Sequence, residues 1–464
     1  MSTSSLGSTD RPVRVAIVGA GPAGFYAADA LLRHETPVFE VDLFDRLPTP
    51  FGLVRSGVAP DHQKIKTVIK AFDRTARHPR FRFLGNVEVG RDLSAEDLAL
   101  HYDQVVYAVG SSSDRQLGIP GEDLTGCHGA AAFVGWYNGH PDFVDLEFRF
   151  DTTRAIIVGV GDVALDVARI LLRSPDELAK TDISGRALAA LRNSRIREVV
   201  LMARRGAAQV AFSPGELQDI VDLAGVAVVV DPASLEVGAE HLDQLEPRCR
   251  KNVDMLRAQA ARTPEDGVRP LRIELLASPV EVLAGAPGRM GTVRVERNEL
   301  TGDPLAPKAR GTGQFFTIEA GLLFRSVGYR AVALPGVPFD ERAGVIPNRA
   351  GRVLDPARDA ILPGIYAVGW IRRGPTGVIG TNKADAQSVA ELMVADVPAC
   401  AARAGSLPPR AAIDDLLRTR GVRVVSYADW LAIDAVEIAR GVELGKVRDK
   451  FERVDEMLAV LNAR

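Results

Sequence analysis

Cysteine is scarce in this chain, which limits the redox chemistry that the chain performs alone. The 464 residues contain three cysteines, Cys127, Cys249 and Cys400, which lie far apart and form no C-x-x-C pair. This pattern excludes a thioredoxin-type dithiol and an iron–sulfur ligand set made of this chain's own cysteines. Structural disulfides are not expected either, which suits a reducing cytosol.

The sequence also lacks a large excess of charge and a long apolar run. Its formal net charge is −3, whereas a chain built mainly to bind nucleic acid is usually strongly basic. No stretch approaches the roughly 18 apolar residues that a membrane span needs. Residues 1–10 show neither an apolar signal core nor an Arg-rich amphipathic helix. We therefore expect a cytoplasmic protein with no membrane span and no nucleic-acid partner.

Length and composition indicate a globular protein of more than one domain. Hydrophobic residues make up 46% of the chain and charged residues 25%, a balance typical of globular domains. A chain of 464 residues suits two or three domains. A polar loop over residues 111–121 and the segment 326–328 are the predicted domain crossings.

A first βαβ unit is predicted near the N-terminus. An apolar strand over residues 13–18 runs into Gly19-x-Gly21-x-x-Gly24 and a helix, and the next strand ends at Asp45. The three glycines suit a tight turn, close approach of a pyrophosphate and close helix packing. An acid at the end of the second strand can accept hydrogen bonds from a ribose diol. The pattern favours a dinucleotide site over a glycine-rich turn without a ligand.

A second βαβ unit begins at Arg154, with a different ending. The strand meets Gly159-x-Gly161-x-x-Ala164, and the strand that follows ends in Arg204-Arg205. Two guanidiniums pair with a 2′-phosphate, which a carboxylate would repel. The pattern predicts a preference for NADP(H), although Arg204-Arg205 is also compatible with a solvated basic pair. The intervening polar helical segment, residues 174–194, makes the spacing more than twice the usual length of about 20 residues.

Other segments carry weaker structural signals. A helix is predicted from about Asp61, with Ile65, Val68, Ile69, Phe72 and Ala76 on one apolar face. Residues 240–265 have the composition of a charged helix, and residues 271–327 that of mostly short strands. The last 60 residues place Trp430 and Asp434 in a helical context without a chemical motif.

Several longer blocks are far more specific than either glycine loop alone. The blocks are PFGLVRSGVAPDH at 50–62, GNVEVG at 85–90, FVGWYN at 133–138, VALDVAR at 163–169 and RRGPTGVI at 372–379. They resemble the adrenodoxin reductase family, which includes bacterial NADPH–ferredoxin reductases. The similarity runs from about residue 13 to 395 and more faintly to the C-terminus.

The resemblance implies an α/β flavoprotein with two Rossmann-like dinucleotide-binding domains. An FAD domain of residues 11–113 and 328–464 would be interrupted by an NADP domain of residues 114–327. The family's FAD-binding positions correspond to Ala23, Asp45, Leu53, Val89, Trp370, Gly377, Val378 and Ile379. Its NADP-binding positions correspond to Arg115, Gly159, Val160, Gly161, Asp162, Val163, Arg204, Arg205, Glu216 and Gly377.

Two positions depart from the family pattern, and two others carry its catalytic roles. Asp45 replaces the common Glu, and Asp162 replaces the common Asn, which brings a carboxylate toward the cofactor phosphates. His62 and Glu216 resemble paired polar residues that position the nicotinamide and tune hydride transfer. Without the resemblance, His62 would be a local cap, Glu216 a surface acid and Trp370 a core aromatic.

The predicted activity is transfer of electrons from NADPH through FAD to a ferredoxin-type iron–sulfur protein, with no metal site in the chain itself. A basic docking face on the charged helix would suit an acidic ferredoxin, and a solvated face is the alternative. The candidates are Arg248, Arg250, Lys251 and Arg257. Two other functions stay open: another flavin enzyme, such as a monooxygenase, and a non-catalytic dinucleotide sensor. The sequence does not fix the oligomeric state.

Overall fold

The computed structural model describes residues 5–403 and 407–462. No helix in these two ranges is long and apolar enough to span a membrane. The strands, in chain order, are β1 Val13–Val18, β2 Phe39–Phe44, β3 Phe81–Leu84, β4 Gln104–Tyr107, β5 Ser113–Asp114, β6 Cys127–Gly129, β7 Arg154–Val158, β8 Glu198–Met202, β9 Val226–Val230, β10 Arg269–Glu274, β11 Ala277–Ala286, β12 Arg289–Thr301, β13 Lys308–Glu319, β14 Leu322–Arg325, β15 Tyr329–Arg330, β16 Asn348–Arg349, β17 Arg352–Asp355 and β18 Ala360–Ala367.

Helices alternate with the strands up to β10, after which a run of strands and then a run of helices follow. The helices are α1 Pro22–Leu32, α2 Leu53–Ser56, α3 Gln63–Lys66, α4 Ile69–Ala76, α5 Ala95–His101, α6 Ala130–Tyr137, α7 Asp162–Leu172, α8 Pro175–Leu178, α9 Gly185–Arg192, α10 Pro214–Val221, α11 Ala239–Leu242, α12 Pro247–Ala260, α13 Trp370–Arg373, α14 Thr381–Ala395, α15 Val397–Arg403, α16 Ala412–Thr419, α17 Tyr427–Glu443 and α18 Val454–Asn462. Short 3₁₀ turns occur at Pro141–Phe143, Ala207–Gln209 and Pro232–Leu235.

The described residues form two compact units. The first unit contains the residues up to Val58, His62–Ser113 and the residues from Tyr329 onward. Both ends of the chain therefore contribute to it. The second unit contains Ala59–Asp61 and Asp114–Gly328.

The first unit is built around a seven-stranded sheet with the strand order β16-β17-β18-β4-β1-β2-β3. β1 pairs in parallel with β2 and β4, and β18 from the C-terminal part pairs in parallel with β4. Val15 and Ile17 share one apolar cluster with residues of α1 and α14. Ala16 and Val18 share another with Leu98 of α5. Both faces of β1 are covered, which is why the strand is apolar throughout.

The second unit contains a six-stranded parallel sheet with the order β6-β14-β7-β8-β10-β9. A separate antiparallel sheet contains β11, β12 and β13. The carboxyl ends of β7 and β8 lie at the same edge of the parallel sheet, because these strands pair in register from Arg154 opposite Glu198. In an open parallel sheet this edge is where ligands bind.

The predicted strands of residues 271–327 are correct in type but wrong in length. β11, β12 and β13 contain 10, 13 and 12 residues. Their glycines lie inside the hairpin: a Cβ atom on Gly285 would lie only 2.9 Å from the Gly291 Cα atom. These glycines therefore permit close strand approach instead of ending a strand.

The helix predicted from Asp61 is also interrupted. It forms α3 and α4, and the turn between them contains Thr67, whose hydroxyl donates to the Lys64 carbonyl at 2.6 Å. Ile65 is 43% exposed, so the predicted apolar face begins after it, with Val68 and Ile69, which pack against the core, and with the buried Phe72. The charged helix of residues 240–265 is likewise divided, because Pro247 starts α12 and cannot occupy a helix interior.

Candidate functional site

The first glycine loop joins β1 to α1 and leaves an open cradle at the helix N-terminus. Gly19 has φ 108°, and a Cβ atom there would lie 2.6 Å from the Ala108 carbonyl oxygen. A Cβ atom on Gly24 would overlap the Gly19 carbonyl oxygen. A Cβ atom on Gly21, by contrast, would meet no described atom within 4 Å. Two glycines thus allow close packing, while the third faces space in which a pyrophosphate can approach backbone N–H groups.

Asp45 follows β2 and binds the first loop directly. Its Oδ2 atom accepts the Ala20 N–H at 2.9 Å, and its Oδ1 atom accepts the Leu47 N–H at 2.9 Å. Burial raises the pKa of Asp45, and these two hydrogen bonds oppose that rise. Each carboxylate oxygen has a second lone pair. The side chain can therefore order the loop and still accept a ribose hydroxyl, which stays a prediction.

Residues 51–53 lie against the same loop. The Phe51 N–H donates to the Ala20 carbonyl at 2.8 Å, and a Cβ atom on Gly52 would lie 2.9 Å from the Gly21 Cα atom. Leu53 then starts α2 with a side chain that is 43% exposed. Val89 is buried in the apolar cluster of β1 and α5. Its predicted contact with FAD is not tested by this packing.

The C-terminal part of the chain completes the first site. A Cβ atom on Gly369 would lie 2.6 Å from the Ala23 Cβ atom, so the turn after β18 packs on the start of α1. Trp370 is half-buried, donates its indole N–H to the Thr376 carbonyl at 3.1 Å and stacks on Tyr329 at 5.7 Å. Residues 377–379 precede α14, and Val378 among them is 63% exposed. Trp370 is therefore not an ordinary core aromatic.

The second glycine loop repeats this geometry between β7 and α7. Gly159 has φ 131°, and a Cβ atom there would overlap the Ser326 carbonyl oxygen. A Cβ atom on Gly161 would meet no described atom within 4 Å. The Val160 carbonyl accepts the Ala211 N–H at 2.8 Å. Both loops therefore have room for a dinucleotide pyrophosphate, because the space beside Gly21 and Gly161 is open.

Asp162 starts α7 and connects the second loop to α10. Its Oδ1 atom accepts the Ser213 N–H at 2.6 Å, and the Ser213 hydroxyl caps α10 by accepting the Glu216 N–H at 3.3 Å. An acid in the first turn of a helix is also favoured by the helix dipole. Asp162 thus has a structural partner besides any effect on phosphates. Val163 beside it is half-buried and packs on the core of the second unit.

Arg204 and Arg205 follow β8 by one residue and are anchored by their backbones. The Arg204 carbonyl accepts the Asn298 side-chain N–H at 2.9 Å, and the Arg205 carbonyl accepts the Leu276 N–H at 3.2 Å. Within residues 5–403 and 407–462, neither guanidinium forms a hydrogen bond or ion pair. Arg115 is exposed and is held by its own N–H to the Gly328 carbonyl at 3.1 Å. Two uncommitted guanidiniums at a strand end suit a phosphate ligand.

Glu216 belongs to a buried ionic cluster centred on Arg169. The fully buried Arg169 side chain contacts Asp61 at 2.7 Å, Asp166 at 2.5 Å and Glu216 at 3.0 Å. Burial and then the charge of Asp166 raise the pKa of Glu216 to about 7, against the lowering effect of Arg169. Glu216 can therefore change protonation near neutral pH, unlike an ordinary surface acid.

Arg169 is a site residue that no predicted role in the sequence identified. The available signal was Asp166, three positions earlier on the same predicted helix and in the same family block. His62 belongs to the first unit, whereas Glu216 belongs to the second. His62 is the N-cap residue of α3, one position outside the helix. The helix predicted from about Asp61 therefore begins only at Gln63.

Most of the basic side chains of the candidate docking face on α12 contact nearby residues. Arg248 donates to the Phe212 carbonyl at 3.4 Å, Arg250 pairs with Asp243 at 3.1 Å, and Arg257 donates to the Leu235 carbonyl at 3.3 Å. Lys251 is exposed. These contacts favour a solvated helix face over a docking face for ferredoxin.

Fold and site together define a protein with two dinucleotide-binding α/β units. Residues 13–212 match the family model described as pyridine nucleotide-disulphide oxidoreductase. The chain is 45% identical over 460 residues to NADPH-ferredoxin reductase FprA of Mycobacterium tuberculosis, covering 97% of this chain and 99% of that protein. It is 43% identical to human mitochondrial NADPH:adrenodoxin oxidoreductase, with 97% and 92% covered.

A solved structure gives the same result in three dimensions. Mycobacterium tuberculosis FprA in complex with NADPH matches with a TM-score of 0.93 and 45% identity, covering 97% of this chain and 99% of that one. The chain therefore belongs to the family of NADPH–ferredoxin and adrenodoxin reductases. The resemblance and the fold class predicted from the sequence blocks are confirmed.

Proposed function

We propose that this protein is an FAD-dependent reductase that passes electrons from NADPH to a ferredoxin-type iron–sulfur protein. The observation that carries the proposal is the similarity to NADPH-ferredoxin reductase FprA over 97% of the chain. The contrast between Asp45 after the first loop and Arg204 and Arg205 after the second, whose guanidiniums have no partner among the described residues, supports it independently.

The first unit is the proposed FAD site, with residues 11–113 and 328–464 as its domain. Backbone N–H groups beside Gly21 would bind the pyrophosphate, and Asp45 the adenosine ribose. Ala23 and Trp370, which the turn at Gly369 brings together, would flank the rest of the cofactor with residues 377–379. When bound, FAD supplies two-electron uptake and one-electron release, chemistry that no side chain supplies.

The second unit, residues 114–327, is the proposed NADPH site. Gly161 would admit the pyrophosphate to the N-terminus of α7, and Arg204 and Arg205 would bind the 2′-phosphate as charge-assisted donors. Arg115 is proposed as a further phosphate contact. Selection against NADH follows because that nucleotide lacks the phosphate that these guanidiniums would neutralise.

His62 and Glu216 are proposed to position the nicotinamide and to tune hydride transfer. Arg169 fixes the Glu216 carboxylate through its 3.0 Å contact, and the pKa of about 7 lets that carboxylate carry or release a proton at physiological pH. Loss of hydride leaves a cationic nicotinamide, which an ionised carboxylate stabilises.

The electron acceptor is proposed to be a separate protein. The three cysteines are far apart and no C-x-x-C pair exists, so neither a cluster nor a disulfide relay arises from this sequence. This also disfavours a disulfide reductase, the activity named in the description of the family model. A cytoplasmic location stays a prediction that cell fractionation tests.

One preparation tests the proposal against its rivals. The purified protein should show visible flavin absorbance, which anaerobic NADPH should bleach and NADH should bleach far more slowly. Bound flavin that NADPH does not bleach would instead support the non-catalytic sensor. A ferredoxin should then be required for reduction of cytochrome c. Equal reduction without ferredoxin would contradict an iron–sulfur partner and favour another flavin enzyme.

A further inference from the structure

The C-terminal residues carry no sequence motif, yet they bind the segment that lies on the first glycine loop. Arg55 in α2 donates from Nη1 to Oε2 of Glu437 at 2.8 Å and from Nη2 to Oε1 at 2.5 Å. The Arg55 side chain is 8% exposed and the Glu437 side chain is 0% exposed. A bidentate, buried pair of this kind fixes the geometry of both partners. Removing one partner leaves a buried charge uncompensated.

Two more residues hold the same segment. Lys450 donates from Nζ to the Arg55 carbonyl at 3.2 Å. The Arg55 guanidinium lies 5.1 Å from the centre of the Trp430 ring, and Trp430 meets Phe51 edge-on at 6.0 Å. We name Trp430, Glu437 and Lys450 the C-terminal clamp. Its contacts reach both the backbone and the side chains of residues 51–56.

Glu437 is itself fixed by the chain that follows α17. Its carboxylate accepts the Phe451 N–H at 3.0 Å and the Arg448 guanidinium at 3.2 Å, and its carbonyl accepts the Asp449 N–H at 2.9 Å. Burial would raise the pKa of Glu437, but the charge and hydrogen bonds of Arg55, the charge of Arg448 and the Phe451 N–H lower it overall. The carboxylate is therefore a rigidly held anion.

The held segment is continuous with the cradle of the first loop. Phe51 donates to Ala20 at 2.8 Å, and Gly52 leaves no room for a Cβ atom beside Gly21. The clamp thus fixes one side of this segment, and the glycine loop lies on the other. A shift of the segment would change the space at Gly21 and the direction of the Ala20 carbonyl.

We propose that the C-terminal clamp is part of the FAD site, with Glu437 as a positioning residue that acts through Arg55. It holds residues 51–56 against the glycine loop and so increases the affinity for FAD. This inference rests on the proposed binding of FAD by the first unit. It gives the C-terminal segment a function that the sequence did not indicate.

The test compares FAD affinity with general stability. Glu437→Gln is made in the full chain, with Asp42→Asn as the matched control. Asp42 is a carboxylate of the same unit, 1% exposed, held by Arg82 at 2.5 Å and Arg410 at 2.5 Å. FAD is removed from each protein, and the dissociation constant is measured by quenching of flavin fluorescence on titration with apoprotein. The thermal midpoint is recorded with and without FAD.

Glu437→Gln is expected to weaken FAD binding at least about tenfold and to shrink the thermal shift caused by FAD. Asp42→Asn should lower both thermal midpoints and keep FAD affinity within about threefold of wild type. Equal losses of FAD affinity in the two variants, or an unchanged constant in Glu437→Gln, would overturn the inference.

A milder variant covers the case in which Glu437→Gln does not fold. Lys450→Met removes one hydrogen bond to the Arg55 carbonyl and should weaken FAD binding about threefold or more. A folded Lys450→Met protein with wild-type FAD affinity would then contradict the role of the clamp. Failure of the wild-type protein to take up FAD would instead refute the proposed function itself.

Discussion

The two glycine loops share one backbone geometry and differ in what stands after the next strand. Gly21 and Gly161 both face open space at a helix N-terminus. Asp45 then binds an N–H group of its own loop, whereas the guanidiniums of Arg204 and Arg205 bind nothing in the described parts of the chain. We infer that the loop provides general affinity for a dinucleotide, and the strand end selects which dinucleotide binds.

The loops are also anchored by different parts of the molecule. The first is held by Phe51, whose segment is fixed from the far end of the chain. The second is held locally, through Ala211 and through the contact of Asp162 with Ser213 at 2.6 Å. Changes at one loop should therefore leave the other nucleotide unaffected, which makes the comparison testable.

The largest expected effect comes from filling one cradle at a time. Gly21 and Gly161 have extended, unstrained backbones, at φ −82° and φ −100°, so a Val at either position is compatible with the fold. Gly21→Val should weaken FAD binding at least about 100-fold, and Gly161→Val should do the same for NADP⁺ with FAD retained. Flavin content and calorimetric titration measure both. Loss of FAD in Gly161→Val would contradict the separation of the sites.

The next effect concerns the strand end of the second unit. Arg204→Ala with Arg205→Ala should raise the Michaelis constant for NADPH about 10- to 150-fold and change that for NADH little, because charge-assisted contacts to the 2′-phosphate are lost. Lys308→Ala with Arg310→Ala on β13 removes the same charge elsewhere in the unit. Equal increases in the Michaelis constants for NADPH and NADH would refute the 2′-phosphate assignment. So would an increase of the same size for NADPH in the control variant.

A smaller effect is expected from the protonation of Glu216 in the second unit. As pH rises through about 7, Glu216 loses its proton, and the resulting carboxylate should speed flavin reduction by NADPH several-fold. Stopped-flow rates from pH 6 to 8 should show this rise in the wild type. Glu216→Gln should remove it, and Asp222→Asn at the exposed end of α10 should keep it. A pH dependence that survives Glu216→Gln would contradict the role.

The smallest effect is at Asp162, the departure from the family pattern. Asp162→Asn keeps an oxygen that can accept the Ser213 N–H and removes one negative charge near the phosphates. The Michaelis constant for NADPH should fall about two- to fivefold, mostly at low salt, where charges are least screened. A rise in that constant would mean that the charge of Asp162 is needed to hold Ser213.

Local patterns predicted the parts of the fold that rest on local physics. The strand at residues 13–18 and both glycine loops follow from apolar runs and from the positions where only glycine fits. The sequence predicted one helix from Asp61 where the structure has two, because the turn at Thr67 leaves the apolar spacing nearly intact. The length of the three strands in residues 277–319 was missed because Gly285 and Gly291 are residues typical of turns but lie inside β11 and β12.

The unpredicted parts of the site depend on contacts that are distant in sequence. Arg55 and Glu437 are 382 positions apart, and Asp61 and Arg169 are 108 apart. Buried ion pairs of this kind have no periodicity in the sequence. Each partner is a charged residue of a type that usually lies on the surface. The family blocks contained Arg55, Asp61 and Arg169, but only the fold showed which carboxylates they meet.

The most direct measurement is calorimetric titration of the FAD-loaded protein with NADP⁺ and with NAD⁺. The guanidiniums of Arg204 and Arg205 at the second strand end predict that one NADP⁺ binds per chain, at least about tenfold more tightly than NAD⁺, with a preference that weakens as salt rises. Equal affinity for the two nucleotides would contradict the claim that the strand ends distinguish the two sites.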